Sequence, residues 1–400
     1  MRLTDLRIPG REGVWSLRIE DGKIKTLKPA GHAPAPAGSL TAAPGEPAPA
    51  SLSFDGALAF PGLINSHDHL DFNLFPALGH DRYTNYRRWG WDIHSKNAAD
   101  IKAVLKVPQP LRILWGIYKN LLNGFTTVVN HGVPLNTNGA PITVFQQSHN
   151  LHSIGFEPNW RWKLNRPARQ SWPYVLHVGE GTDEAAYREI TNLLRWNLFK
   201  KPLIGIHGVA MTEEQAAGFR ALVWCPASNY FLLDRTAPIQ RLKTRIPIVF
   251  GTDSTLTAPW DCWSQIRLAR KEQAATDEEL FQMLTVTPAA VWGLTDRGML
   301  AEGMLADLVI AKPGILPEDT AGPTTMDAFY DLTLDNILLV IHHGKVVLFD
   351  ASLKETLQNA NAIEGLFQQA GENGKYVPGD INGLMQRIKE YYPEVQFPID

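Results

Sequence analysis

The feature that most constrains this chain is a unit repeated along its middle: a short apolar run, a turn, then a stretch with helical spacing. The runs are ALAFPGLINS, GFTTVVNHG, PYVLHVGE, PLIGIHGVA, ALVWCPASN and IPIVFGTDS, and the helical stretches between them include LRILWGIYKNLLN, DEAAYREITNLLRW and DEELFQMLTVTPAAVWGL. Strands that are apolar along their whole length suit a parallel sheet buried on both faces, and parallel neighbours need a crossover, usually a helix. The predicted architecture is therefore α/β, a (β/α)8-type TIM barrel over residues 60–299. One place falls short of that pattern. Between Val129 and Tyr174 two further strands should fit, yet only HSIGFEPNWRWK offers one, so the barrel is expected to be distorted or one unit short there.

The two ends of the chain read differently. Residues 13–28, GVWSLRIEDGKIKTLK, are two alternating runs around Asp21-Gly22, the pattern of a tight β-hairpin. GMLAEGMLADLVIAKP and DNILLVIHHGKVVLFD return to that style, so residues 1–59 and 300–350 are predicted to pair into one small β domain. The Pro/Ala/Gly-rich stretch from Pro29 to Ala50 reads as an exposed loop, and residues 351–400, with NGLMQRIKEYY, as a helical tail. The full 400 residues suit one barrel of about 250 residues plus such a module.

Composition narrows the partners. With Lys+Arg 38 against Asp+Glu 41, no charge excess argues for nucleic acid or a membrane surface, and a small-molecule substrate is the expectation. The only cysteines, Cys225 and Cys262, make no disulfide framework and suit a reducing compartment. There is no secretory h-region and no apolar run of about 18 residues, so the chain is expected to be soluble and cytoplasmic.

Chemistry-bearing residues recur where strands end. His67 and His69 stand two apart beyond an apolar strand, so both imidazoles can face one ion. His177 closes PYVLHV, His207 closes PLIGIH and Asp253 closes IPIVFGTD. In a barrel those positions face the active-site mouth, and packing alone does not explain four histidines and an aspartate at them. Glu180, three residues past His177, stands where a carboxylate can serve a metal-activated water without ligating; it could equally be a carboxylate favoured by the start of the next helix. His131, at the end of VVNHG, is a candidate substrate contact. So are Trp89 and Trp91 in the aromatic, basic segment DFNLFPALGHDRYTNYRRWGWDIHSK, and Arg161 beside Trp160 and Trp162.

Together these stretches resemble the amidohydrolase superfamily and, within it, the mononuclear aminohydrolase branch that includes guanine deaminase, S-adenosylhomocysteine deaminase and the triazine chlorohydrolases. The resemblance runs in family order from about Phe60 to Ile310, through PGLINSHDH, NGFTTVVNHG, LHVGEGTDEA, IHGVAMTEEQ, VWCPASN, GTDS, TPAAVWGL and GMLAEGMLADLVI. It implies one divalent metal, zinc before iron, held by His67, His69, His177 and Asp253. Asp253 would also accept the water's proton, Glu180 would protonate the leaving nitrogen, and His207 would polarise the reacting centre or hold the water. The implied reaction is hydrolysis of a carbon–nitrogen bond, foremost deamination of a flat nitrogen heterocycle with release of ammonia. Hydrolysis of a cyclic or N-acyl amide, or dechlorination, would use the same site, and a non-catalytic binding barrel is the remaining alternative. A two-metal site would need a bridging lysine. Lys163 is the candidate, but only fourteen positions separate it from His177, with Pro167 and Pro173 between, which leaves little room for a crossover helix.

Overall fold

At Asp21-Gly22 both residues take left-handed angles, φ 51° and 74°, and the flanking strands Trp15–Glu20 and Lys23–Pro29 pair antiparallel, as the dipeptide predicts. The structure is a computed structural model that describes residues 1–30, 51–79, 82–167, 171–314, 324–372 and 374–399. The Pro29–Ala50 stretch beyond Ala30, and His80, lie outside these residues. The hairpin is one edge of a nine-stranded sheet that continues through Arg2–Arg7, Ser51–Pro61, Leu308–Ala311, Ile337–His342, Lys345–Asp350, Lys375–Pro378 and Phe367–Ala370. Both chain ends thus meet in one sheet. The stretch expected to be a helical tail corrects that reading: Lys354–Asn359 and Ile381–Tyr391 are helices, but FQQA and KYVP between them are the last two strands of the sheet. The Gly-Glu-Asn-Gly run between those two segments, rich in turn-forming residues, breaks the helical pattern in the sequence.

Ser51–Pro61 passes through Gly62 directly into the first barrel strand. The barrel strands are β1 (Leu63–Asp68), β2 (Phe125–Asn130), β3 (Thr143–Phe145), β4 (His149–Ser153), β5 (Tyr174–Val178), β6 (Leu203–His207), β7 (Ala221–Trp224) and β8 (Ile248–Phe250). All ladders among them are parallel, in two sheets, β1-β2-β3 and β8-β7-β6-β5-β4. The distortion falls where the sequence places it. Only residues 146–148 separate β3 from β4, far fewer than a parallel crossover needs, so the two are consecutive lengths of one wall that change partner from β2 to β5. HSIGFEPNWRWK, expected to be a strand, gives only its first two residues to β4; its latter part starts the short helix Trp160–Asn165.

Helices α1 (Tyr86–Lys96), α2 (Gln109–Leu122) and α3 (Glu184–Trp196) flank the site. Asp183 caps α3 by accepting the Ala186 N–H. Helix α2 lies so close behind the β1 terminus that a Cβ on Gly116 would stand 2.1 Å from the Leu70 carbonyl oxygen. Gly116→Ala is therefore expected to cost about 1–3 kcal/mol through overpacking, read as a lower urea midpoint at unchanged m-value.

Candidate functional site

The strand ends β1, β5, β6 and β8 bring His67, His69, His177, His207 and Asp253 into one cluster. His69 Nε2 and His177 Nε2 are 3.3 Å apart, His67 Nε2 is 3.7 Å from Asp253 Oδ1, and His207 Nε2 is 3.9 Å from Asp253 Oδ2. The ligand atoms of His67, His69 and Asp253 all lie within 4.8 Å of one another, as do those of His67, His177 and His207. Glu180 is beside this group, with Oε1 3.6 Å from His207 Nε2.

Hydrogen bonds from outside the cluster set how each ring faces it. His177 Nδ1–H donates to the His152 carbonyl at 2.7 Å, which leaves the Nε2 lone pair inward. His207 Nδ1–H donates to Asn229 Oδ1 at 2.8 Å, so its Nε2 also faces the site as an acceptor. Asp253 Oδ1 accepts the Ser254 N–H at 2.7 Å, and its Oδ2 accepts the Ser228 and Thr257 hydroxyls at 2.9 and 3.2 Å. His207 and Asp253 are also in left-handed backbone conformations, φ 72° and 58°, uncommon for residues other than glycine and typical of functional sites.

Burial sets the charge states. It holds His67 and His177 well below the ordinary imidazole value, and neighbouring imidazoles reinforce it. His207 is lowered by burial, with Asp253 opposing. Burial would raise Asp253, but the adjacent imidazoles, the Ser254 N–H and the Ser228 hydroxyl outweigh it and keep the carboxylate charged. Glu180 moves the other way: burial first, then the negative charges of Asp253 and Glu189, push it well above the ordinary glutamate value. Burial thus biases His67, His177 and His207 toward the neutral imidazole and Glu180 toward the acid, while Asp253 is biased toward the carboxylate.

The cluster fits a divalent metal. Both ring nitrogens of His67 are buried without a hydrogen-bond partner, a cost that ligation would remove. Nitrogen ligands at about 2.0–2.1 Å from a tetrahedral zinc stand about 3.4 Å apart, close to the His69–His177 separation. A second His/Asp group, Asp307, His342 and His343, differs because the Arg297 guanidinium lies 3.3 Å from Asp307 and already balances its charge.

Beneath the cluster lies Lys119 of α2, fully buried, a residue the sequence reading passed over. Its Nζ donates to Asn73 Oδ1 at 2.7 Å, to the Asp253 carbonyl at 2.8 Å and to Asp68 Oδ2 at 3.3 Å. Burial raises Asp68 from its ordinary value, and the ammonium with the Asn120 and Asn73 amides pulls against that rise. A lysine among the apolar residues of LRILWGIYKNLL was the available signal.

The substrate candidates divide. Trp89 lines a cavity of about 90 Å³ over the cluster, together with His152, Phe156, Tyr86 and Phe72, which sequence reasoning missed. His131 is placed otherwise than expected: it sits among the imidazoles, ring centroids 4.7 Å from His177 and 5.4 Å from His67 and His69, and does not line the cavity. Trp91 points to solvent, 69% exposed, because the turn of α1 that aims Trp89 inward aims its neighbour-but-one outward. Arg161 lies on the outer surface, stacked on Trp160 and Trp196 at 4.7 and 5.0 Å. Lys163 pairs with Glu157 at 2.8 Å, outside the cluster. A separate cavity of about 970 Å³ lies near the His342–Val347 hairpin and contains none of the cluster.

Comparison with known proteins gives three findings. A family profile described as "Amidohydrolase family" matches residues 144–348, just over half of the chain. The 5-methylthioadenosine/S-adenosylhomocysteine deaminase of Caldicellulosiruptor saccharolyticus is 23% identical over 261 residues, covering 58% of this chain and 60% of that protein, so the chain spans less than two thirds of that relative. Two crystal structures share the fold at 16% identity: a zinc-bound adenosine deaminase from Xanthomonas campestris, TM-score 0.64 with 98% of each chain covered, and a zinc complex of atrazine chlorohydrolase from Arthrobacter aurescens, TM-score 0.65 with 98% and 100% covered.

Lys119→Met is expected to destabilise the fold by about 3–5 kcal/mol by leaving the Asp68 carboxylate buried and unpaired, and Lys119→Met/Asp68→Asn to recover most of that loss, both measured by chemical denaturation.

Proposed function

Since the chain belongs to the amidohydrolase family, we propose that it is a metal-dependent hydrolase that cleaves a carbon–nitrogen bond, deaminating an aminated heterocycle with release of ammonia. The observation that carries this reading is Glu180, a buried carboxyl whose Oε1 stands 3.6 Å from His207 Nε2 beside a cluster fit for a metal, with its pKa pushed up by burial. The named relatives support it by analogy.

His67, His69, His177 and Asp253 would hold the ion, with zinc the first choice for three imidazoles and one carboxylate. When bound, such an ion supplies Lewis acidity that makes water nucleophilic near neutral pH. His207 Nε2 is an acceptor, because Nδ1–H is committed to Asn229, and so orients the attacking water through one of its protons. Asp253, charged and fixed by Ser228 and Thr257, accepts the proton that the water gives up. Glu180 delivers its own proton to the leaving nitrogen, for which a raised pKa is the requirement. Among the described residues no helix is long and apolar enough to cross a membrane. The free buried thiols Cys225 and Cys262 suit the cytoplasm.

Two measurements test this. Glu180→Gln is expected to keep its metal, by elemental analysis, while ammonia release from a panel of aminated heterocycles falls about 10²–10⁴-fold. His177→Ala is expected to lose at least tenfold in zinc affinity by chelator competition. If no panel member releases ammonia while cyclic or N-acyl amides are cleaved, deamination is the wrong reaction.

A further inference from the structure

The cavity over the cluster is walled by Phe72, Tyr86, Trp89, Phe156, Leu232 and Leu256. Both polar handles on these walls are already committed. The Tyr86 hydroxyl donates to Glu189 Oε2 at 2.8 Å and accepts the Gly155 N–H at 2.8 Å, and Trp89 Nε1–H donates to the Leu78 carbonyl at 2.8 Å. The two aromatics therefore show the cavity only their rings. Phe156 stands edge-on to Tyr86, centroids 5.2 Å apart, as part of the same wall.

Size and charge act in the same direction. A volume of about 90 Å³ is well below the range of about 300–1,000 Å³ for pockets that take drug-sized ligands. Among the described residues no lysine or arginine lines it, and its charge-bearing side chains outside the imidazoles are acids, Glu180 and Asp253. A phosphate or carboxylate would enter without a lysine or arginine to meet it, and ribose hydroxyls reaching the Phe72, Phe156, Leu232 and Leu256 walls would exchange water for hydrocarbon.

Resting on the deaminase reading, we infer that the site takes an uncharged, single-ring aminated heterocycle as the free base, and that Trp89 and Phe156 exclude the nucleosides and amino-acid conjugates of such rings. The decisive comparison is between a base and its own nucleoside. Zinc-loaded Glu180→Gln protein, which should bind without turnover, is titrated by calorimetry with cytosine, 2-aminopyrimidine and melamine, and with cytidine, adenosine and S-adenosylhomocysteine. At least one single-ring base should saturate the protein, with every nucleoside tenfold weaker or more. Phe156→Ala or Trp89→Ala, placed in that background and checked by thermal melting, should narrow the gap between cytosine and cytidine. The inference is overturned if a nucleoside binds as tightly as the bases, or if no single-ring base binds up to its solubility. Ammonia assays on wild-type protein keep the two readings apart. A base that binds but is never deaminated sinks the proposed reaction alone, and a nucleoside that is readily deaminated sinks the size limit alone.

Discussion

One buried ammonium ties the site together. The first and last barrel strands meet without a ladder of their own; the Asp253 N–H donates to the His67 carbonyl at 3.0 Å, and the rest of that seam is side-chain chemistry. Lys119 spans it, bonded to Asp68, which lies between the two β1 histidines, and to the carbonyl of Asp253 at the end of β8. Asn65 reinforces the seam by donating to Asn120 and Thr252 and accepting the Thr252 N–H. A charge buried this deeply destabilises unless every partner is in place, so the network tolerates one arrangement of the two strand ends. The metal cluster inherits its geometry from that arrangement.

The same logic explains the strained residues. A left-handed His207 or Asp253 costs about 1–3 kcal/mol and persists only where its surroundings overdetermine it. Asp253 is held by bonds to its N–H, its carbonyl and both carboxylate oxygens, and His207 by Asn229 at its ring. Fixed tautomers and rotamers are what a site needs if its nitrogens are to face one point before any ion arrives.

How much of this was legible in the sequence depends on whether the cause was local. The strand-end histidines, Asp253 and Glu180 could be read because barrel topology places strand C-termini at the mouth whatever lies between them. Asn229 and Ser228 sat within VWCPASN, noticed as a motif, but their bonds to His207 and Asp253 depend on a turn of α-helix that the motif alone does not orient. Lys119 was hidden because its partners lie 46 to 134 positions away in the chain. Trp91 and Arg161 were misjudged for the opposite reason: an aromatic or basic residue near the site in sequence need not face it, and which side of a helix is buried was set by contacts the local pattern does not contain.

The broken wall and the aromatic wall of the pocket are one feature. With no crossover helix between β3 and β4, β4 itself carries His152 to the cavity over the cluster, and Phe156, three residues past the end of that strand, lines the same cavity. The His152 carbonyl of β4 fixes the His177 tautomer, and the chain beyond β4 meets α1 through the Tyr86–Phe156 ring contact. Tyr86 in turn bonds Glu189 on α3, whose charge adds to the upward push that burial and Asp253 give the Glu180 pKa. The irregular segment that made the barrel look incomplete in the sequence is thus physically joined to the orientation of one metal-facing histidine, the proton state of the acid and the size of the space left for substrate. An insertion that restored a regular β3–β4 crossover would have to surrender all three together.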